Sequence, residues 1–335
     1  MELNTVSISE FTQLAKVIFE KSKASLSEEA IKSGMFQVTK IPNGTGNTRE
    51  FNEIDLEEYA SHKGQSDQAA RASVQIGYSK TMTAKRIAKD IGISYEMRTQ
   101  NKYPEVMSRL TNLAPLAVNR RDLDLQHQIT WCASTSYTDM DGNTIATTCG
   151  DGYQLAYTAH TLNGSSTTYR NRLAGNAQLS KGALEGMERL CVEETYNHLG
   201  EKVVVPFDIL FTTDDPNTIN TAREYLKSTA EISAPNAGVV NVYKGKYKHV
   251  VLSRVATDAN GYPDSTKRRY WGLASSMKST AHVGIWEEPH LKTPANLNAG
   301  EEFSTDDWNY GVRAGYGIVI VDGSWFKFSS GDGAS

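Results

Sequence analysis

The sequence predicts an α+β fold. Three observations predict it: an amphipathic helical pattern near the start, two strand-like segments separated by a long stretch with no core pattern, and a long helical pattern followed by a mixture of helices and short strands. The 335 residues leave room for two or three domains at roughly 100–200 residues each. With 39% hydrophobic and 22% charged residues the chain has the composition of a folded protein with a sizeable core. Its 35 basic and 39 acidic side chains give a net charge of −4, which excludes a strongly basic nucleic-acid binder held mainly by phosphate contacts. The longest apolar runs, Val203–Val205 and Ile318–Val321, fall far short of the ~20 residues of a membrane helix, so no membrane is expected as a partner. The opening Met1-Glu2-Leu3-Asn4-Thr5 lacks the basic-then-apolar pattern of a signal peptide. Cys132, Cys149 and Cys191 are an odd set without CxxC spacing and read as reduced thiols.

In chain order, Phe11, Leu14, Ala15, Ile18 and Phe19 share one helical face, with Ser9 placed as N-cap. A second short helix opens at Ser25, with Glu28 in capping-box spacing, and Gly34 ends it. Phe36, Val38 and Ile41 suggest a short strand, broken at Pro42–Asn47. Alternation returns at Ile76, Tyr78, Lys80 and Met82, and again at Ile91, Ile93 and Tyr95. The intervening stretch, of about 35 residues, reads as a long projecting hairpin, a length that is usually functional. From Tyr103 to Trp131 the pattern is helical, and Pro115 must kink or divide it. Helices are expected from Ser180, with Leu184, Met187, Leu190 and Cys191 apolar, and near Asn220–Ser228, with a strand at Lys202–Pro206. Residues 239–328 read as strands and turns.

No catalytic, cofactor or metal site rises above background. Asp139-x-Asp141-x-Asn143 begins like a calcium loop, but Gly142 stands fourth and Gly150 twelfth, where an EF-hand has Gly sixth and Glu twelfth. A solvated turn fits better. Gly44-Thr45-Gly46 lacks the third glycine of a dinucleotide loop. The seven histidines show no HExxH spacing, and no GxSxG elbow occurs. Glu287-Glu288 before Pro289 reads as a solvated turn, and Arg120-Arg121 and Lys267–Arg269 as solvated faces or partners for acidic loops. The amphipathic arm, long hairpin and long helix leave apolar surface that one subunit covers poorly, which is the mark of an assembly protein.

Several segments then resemble tailed-phage major capsid proteins. Asp151–His160 resembles their Asp-Gly, Leu-Phe, His segment, and the helix Leu179–Glu194 followed by Val203–Leu210 resembles the next block. Asn220–Ser228, Asn241–Gly245 and Tyr270–Leu273 follow in the family's order. Asp306-Asp307, Gly311–Gly317 and Trp325–Lys327 match its ending. The resemblance spans about 75–328 and is nearest to head subunits of the transposable-phage type.

The resemblance implies the Hong Kong ninety-seven (Johnson) fold. Residues 1–34 would be its N-arm and 35–95 its extended E-loop. Residues 96–177 and 303–335 would form its P-domain, with a spine helix at about 104–131, and 178–302 its A-domain. It implies a non-enzymatic subunit, without cofactor or metal, that self-assembles as hexamers and pentamers into an icosahedral head shell. The shell would enclose double-stranded DNA by confinement, with a portal protein as partner. It would be assembled in the host cytoplasm and carried in the virion. Only about 34 residues precede the E-loop, so a separate scaffold protein is expected. The place of the family's cross-link acceptor reads Gly311-Val312-Arg313-Ala314-Gly315, with Asn309 as the nearby candidate, so no covalent cross-linking is expected. Inter-subunit contacts are expected from Phe11, Leu14, Ile18 and Phe19 on the arm and from Arg49, Glu50, Glu57, Glu58 and Lys63 on the E-loop. The alternative within this fold is an encapsulin-like shell around a protein cargo. The alternative outside it is a soluble α+β enzyme using His160 or His282 with nearby carboxylates.

Overall fold

The computed structural model describes residues 8–333 except 43, 101, 231–238 and 295–306. The expected boundary at 302/303 and the first seven residues of the arm therefore lie outside the described residues. Helix α1 (Ile8–Ala24) is followed by the single turn α2 (Glu29–Lys32) and strand β1 (Gln37–Lys40). Strands β2 (Thr48–Leu56) and β3 (Val74–Thr83) form a hairpin, and β4 (Lys85–Ile93) continues it. Helices α3 (Tyr95–Thr99), α4 (Tyr103–Thr111) and α5 (Leu113–Thr130) come next. Four short strands follow, paired as β5 (Ser136–Thr138) with β6 (Thr144–Ala146) and β7 (His160–Thr161) with β8 (Thr168–Tyr169). The rest is α6 (Lys181–Glu193), β9 (Ile209–Thr212), α7 (Pro216–Lys227), β10 (Lys248–Val251), β11 (Trp271–Ala274), β12 (Ala281–Lys292), β13 (Trp308–Ile320) and β14 (Phe326–Ser329). The fold is α+β.

Two four-stranded sheets organise these elements. The first has the order β1-β12-β13-β4, and the second β10-β9-β11-β14. Neither follows the domain division expected from sequence. β12, from the segment 178–302, lies in the first sheet, while β14, from the segment 303–335, closes the second. Within 35–95, β1 and β4 belong to the first sheet, so the hairpin proper is 48–83. β3 passes over that sheet at its base. A Cβ on Gly317 would stand 2.9 Å from the Thr83 carbonyl oxygen, so the close crossing there needs glycine, while one on Gly284 would displace the end of the Met82 side chain.

Helix α5 is the central strut. Pro115 divides the predicted long helix as expected: α4 stops at Thr111, Asn112 turns, and Pro115 falls in the first turn of α5, where a missing N–H costs least. Most of α5 is buried, polar residues included, so each polar group needs a partner. Asp122 receives Arg254 at 2.8 Å, His127 Nε2 meets Thr257 Oγ1 at 3.0 Å, and Thr130 Oγ1 donates to Val255 O at 2.9 Å. Leu125 and Ile129 join the main core, with Phe36, Phe211, Val283, Trp325, Phe326 and Phe328. The second sheet alternates its faces. Ile209 and Phe211 point into that core, while Leu210 points to a smaller one under α6 and α7 with Leu184, Met187, Leu190 and Leu226.

Several expectations are corrected. The valine-rich run 202–206 is not a strand beyond a single bridge at Lys202; the strand lies at Ile209–Thr212, and Val204 is 88% exposed. The capping box at Ser25 does not form, because α1 runs on to Ala24 and Glu28 turns its side chain to Arg121. Gly34 does end α2, in the left-handed region at φ +89°. Ser9 lies inside α1 and not ahead of it. Tyr95 opens α3 and does not extend β4.

Candidate assembly surface

From Phe51 onward β2 alternates: Phe51, Glu53 and Asp55 turn inward, and Asn52, Ile54 and Leu56 turn outward. The polar inward face is fastened to the same chain. Glu53 Oε2 lies 3.0 Å from His198 Nε2, and the His198 backbone N–H donates to Asp55 at 2.8 Å. The backbone N–H of Glu58 donates to Glu201 at 2.8 Å. On β3, Gln75 donates to the Asn163 carbonyl at 2.6 Å, and Asn163 Nδ2 donates back to the carbonyls of Ile76 and Gly77 at 2.9 and 3.1 Å. Tyr78 meets Thr161 at 2.9 Å, and Lys80 Nζ donates to the Thr148 carbonyl.

The outward face is apolar and bare. Ile54 pairs with Ile76 and Leu56 with Val74 in register, which puts all four side chains on one face. They are 66%, 63%, 58% and 57% exposed respectively. The tip, 57–73, is exposed throughout and adds Tyr59. A two-stranded ribbon with one face in water is not stable alone. Here the anchored polar face holds it, and the four aliphatic side chains are left without a cover.

The charged residues expected to act here are dispersed. Arg49 sits at the hairpin base, its guanidinium 5.4 Å from the Phe51 ring, and Glu50 is exposed beside it. Glu57 and Glu58 enter the tip and Lys63 lies within it, all exposed. Among the described residues none of the five forms an ion pair. The aliphatic stripe was missed in the sequence because Glu53 and Asp55 made the segment look acidic; alternation over 51–56 was the available signal.

The arm face is corrected. Phe11, Ala15 and Phe19 are fully buried in their own chain against Val106, Leu110, Leu113, Trp308 and Tyr310, with Phe11 and Trp308 ring centroids 5.4 Å apart. Ile18 packs on the same cluster, Leu14 is half-buried, and Val17 points outward, 66% exposed. No residue within the arm covers this face; its partner comes from α4, α5 and β13, about 90 to 300 positions away.

The histidines of the enzymatic alternative sit where substrate has little or no access. His160 has no exposed surface; its Nδ1 lies 2.6 Å from Asp151 and its Nε2 3.2 Å from the Leu155 carbonyl. His282 stacks on Phe51 at 4.3 Å, and burial, then Arg49, pushes its pKa down. The basic pairs are occupied internally. Arg120 contacts Asp124, Asp139 and Asp141, and Arg121 contacts Glu28 and Glu288. Lys267 lies over the Trp131 ring at 3.5 Å. Glu287 and Glu288 thus sit in the bulged part of β12 as ion-pair partners, not in a solvated turn. Asp139 caps its own turn, accepting from the backbone of Asp141 and Asn143.

The fold is similar to that of several solved structures. One from Gordonia phage Cozz superposes with a TM-score of 0.48 at 13% identity, covering 91% of this chain and 89% of that one. A virus-like particle from Pyrococcus furiosus gives 0.48 at 12%, covering 95% and 98%. The capsid of the cyanophage P-SCSP1u gives 0.48 at 11%, covering 88% and 85%. No protein-family model matches the sequence, and no curated protein matches it.

Within this architecture the arm, the strut and β12 are tied by contacts invisible in sequence. Arg121 accounts for the clearest one: its guanidinium lies 2.7 Å from each Glu28 oxygen and 3.1 Å from Glu288, joining the arm, the strut and β12.

Proposed function

We propose that the chain is a major capsid protein, a non-enzymatic subunit that assembles with copies of itself into a closed head shell. The observation that carries this reading is the hairpin: its polar face is anchored to the chain's own body, while Ile54, Leu56, Val74 and Ile76 stand in water at more than half exposure. Covering an aliphatic side chain is worth about 1.5–3 kcal/mol, and a second subunit is the simplest cover. The order of capsid-like segments along 75–328 supports the same reading. A separate scaffold protein, a portal protein and confined duplex DNA are the partners that such a subunit requires. Hexamers and pentamers would be its assembly units, and the host cytoplasm its place of assembly.

Sedimentation and negative-stain microscopy of the overexpressed chain test this. Closed particles of many subunits are expected. A monodisperse monomer or small oligomer under all assembly conditions, with scaffold co-expressed, would overturn it.

A further inference from the structure

The stem of the hairpin sits over two titratable groups, and we propose that they make its seating proton-dependent: Glu53 and His198 form a latch that is closed in mild acid and loosens as pH rises through neutrality. The latch belongs to the single chain and does not rest on the assembly reading.

The geometry is specific. The side chain of His198 is 4% exposed and that of Glu53 17%. The Asn163 backbone N–H donates to His198 Nδ1 at 3.2 Å, so the ring proton sits on Nε2 and is donated to Glu53 Oε2. Gly77 makes room for the ring: a Cβ there would stand 2.5 Å from Cδ2 and Nε2 of His198. From the hairpin, Asp55 and Tyr78 also face the pair, the Tyr78 ring edge-on at 5.3 Å. From the body come Asp322, Tyr196 and Lys278, which line the same cleft of about 280 Å3, and Cys149, whose thiol burial pushes up. The cleft is large enough for water to carry protons to and from Glu53. Burial pushes Asp322 up, but bonds from Ser324 and Tyr169 outweigh it and hold its carboxyl below the usual range, so it stays ionised.

Glu53 is therefore a carboxylate removed from water beside two other acids. Burial, resisted by the His198 hydrogen bond, raises it from 4.5 to about 7. Burial lowers His198, but Glu53, Asp55 and Asp322 outweigh it and its pKa moves up. That rise needs Glu53 ionised, and a protonated Nδ1 would lose the Asn163 bond, so Glu53 is the group that holds its proton to higher pH when the stem is seated than when it is free. The seated form thus binds more protons and loses stability as pH rises from about 4.5 through about 7. Glu53 alone shifts the seated-to-free ratio roughly thirtyfold between pH 5.5 and 8.5.

The three native cysteines are buried, so Leu56→Cys on the stem and Ser253→Cys on the body accept spin labels selectively. Pulsed electron–electron distance measurement on the unassembled full chain should give one narrow distance at pH 5.5. At pH 8.5 a second, broader population should appear. Glu53→Gln, which cannot ionise, should keep the narrow distance at both. A wild-type distribution unchanged between the two values, or a Glu53→Gln chain that responds as wild type does, overturns the latch. Carboxyl-carbon NMR of Glu53 in the wild-type background gives a second reading that needs no variant at this pair: titration near 7 supports the latch, and titration near 4.5 overturns it.

Discussion

Lys327 stands in the middle of β14, where its neighbours Phe326 and Phe328 are core residues, and it has no exposed surface. Its Nζ donates to the carbonyls of Arg170 and Glu194 at 3.1 and 2.8 Å, the second at the C-cap of α6, where a cation also meets the negative end of the helix. Burial lowers its pKa from 10.5 to about 8. The native state therefore binds fewer protons than the unfolded chain between those values, and stability rises with pH across that window. The full effect is on the order of 3 kcal/mol. Calorimetry from pH 7.5 to 10 should show a melting temperature that gains less in Lys327→Met than in wild type. Arg121 predicts the opposite kind of cost. Arg121→Met leaves Glu28 and Glu288 without their cation and should destabilise the subunit by about 3–5 kcal/mol in urea. Most of that should return when Glu28→Gln is added. Neither residue could be assigned in the sequence. Lys327 reads as a surface lysine, and the partners of Arg121 lie 93 and 167 positions away.

At the scale of elements, what the sequence shows is periodicity, and what it hides is which element supplies the partner. α5 and α6 lie where their apolar spacing put them, because a helical stripe is written within a few turns, whereas α7 begins at Pro216, four residues ahead of the expected Asn220. The run 202–206 is no strand because β-branched residues favour strands only when a neighbour pairs with them, and the pairing stops at the Lys202 bridge and the Val203 N–H bond to the Thr195 carbonyl. The arm shows the same limit: its apolar face was legible, its docking site was not. Because Phe11 is packed in its own subunit, Phe11→Ala should cost about 3–5 kcal/mol of subunit stability, measured by urea unfolding of the unassembled chain. No loss would mean that the arm docks elsewhere. The hairpin should behave in reverse. Ile54→Ser with Ile76→Ser touches only the exposed face, so subunit stability should change by less than about 0.5 kcal/mol per site while particle yield collapses.

For the whole molecule, a net charge of −4 leaves little to hold nucleic acid, and its most prominent basic pair is spent internally. Free subunits should bind duplex DNA more weakly than micromolar at physiological salt, with filter binding as the check. Asn309 is placed in β13 opposite Gly92, within a sheet and not on a loop. Particles boiled in detergent should run as one band at monomer mass, and a ladder of covalent multimers would contradict this. The central claim is that the aliphatic face of the hairpin is an interface between copies of this chain. Cryo-electron microscopy of the assembled wild-type particle at side-chain resolution tests it most directly. Ile54, Leu56, Val74 and Ile76 should lie beneath an adjacent subunit, with little surface left in water. A closed particle in which those four remain solvent-exposed, or a chain that forms no particle, would contradict it.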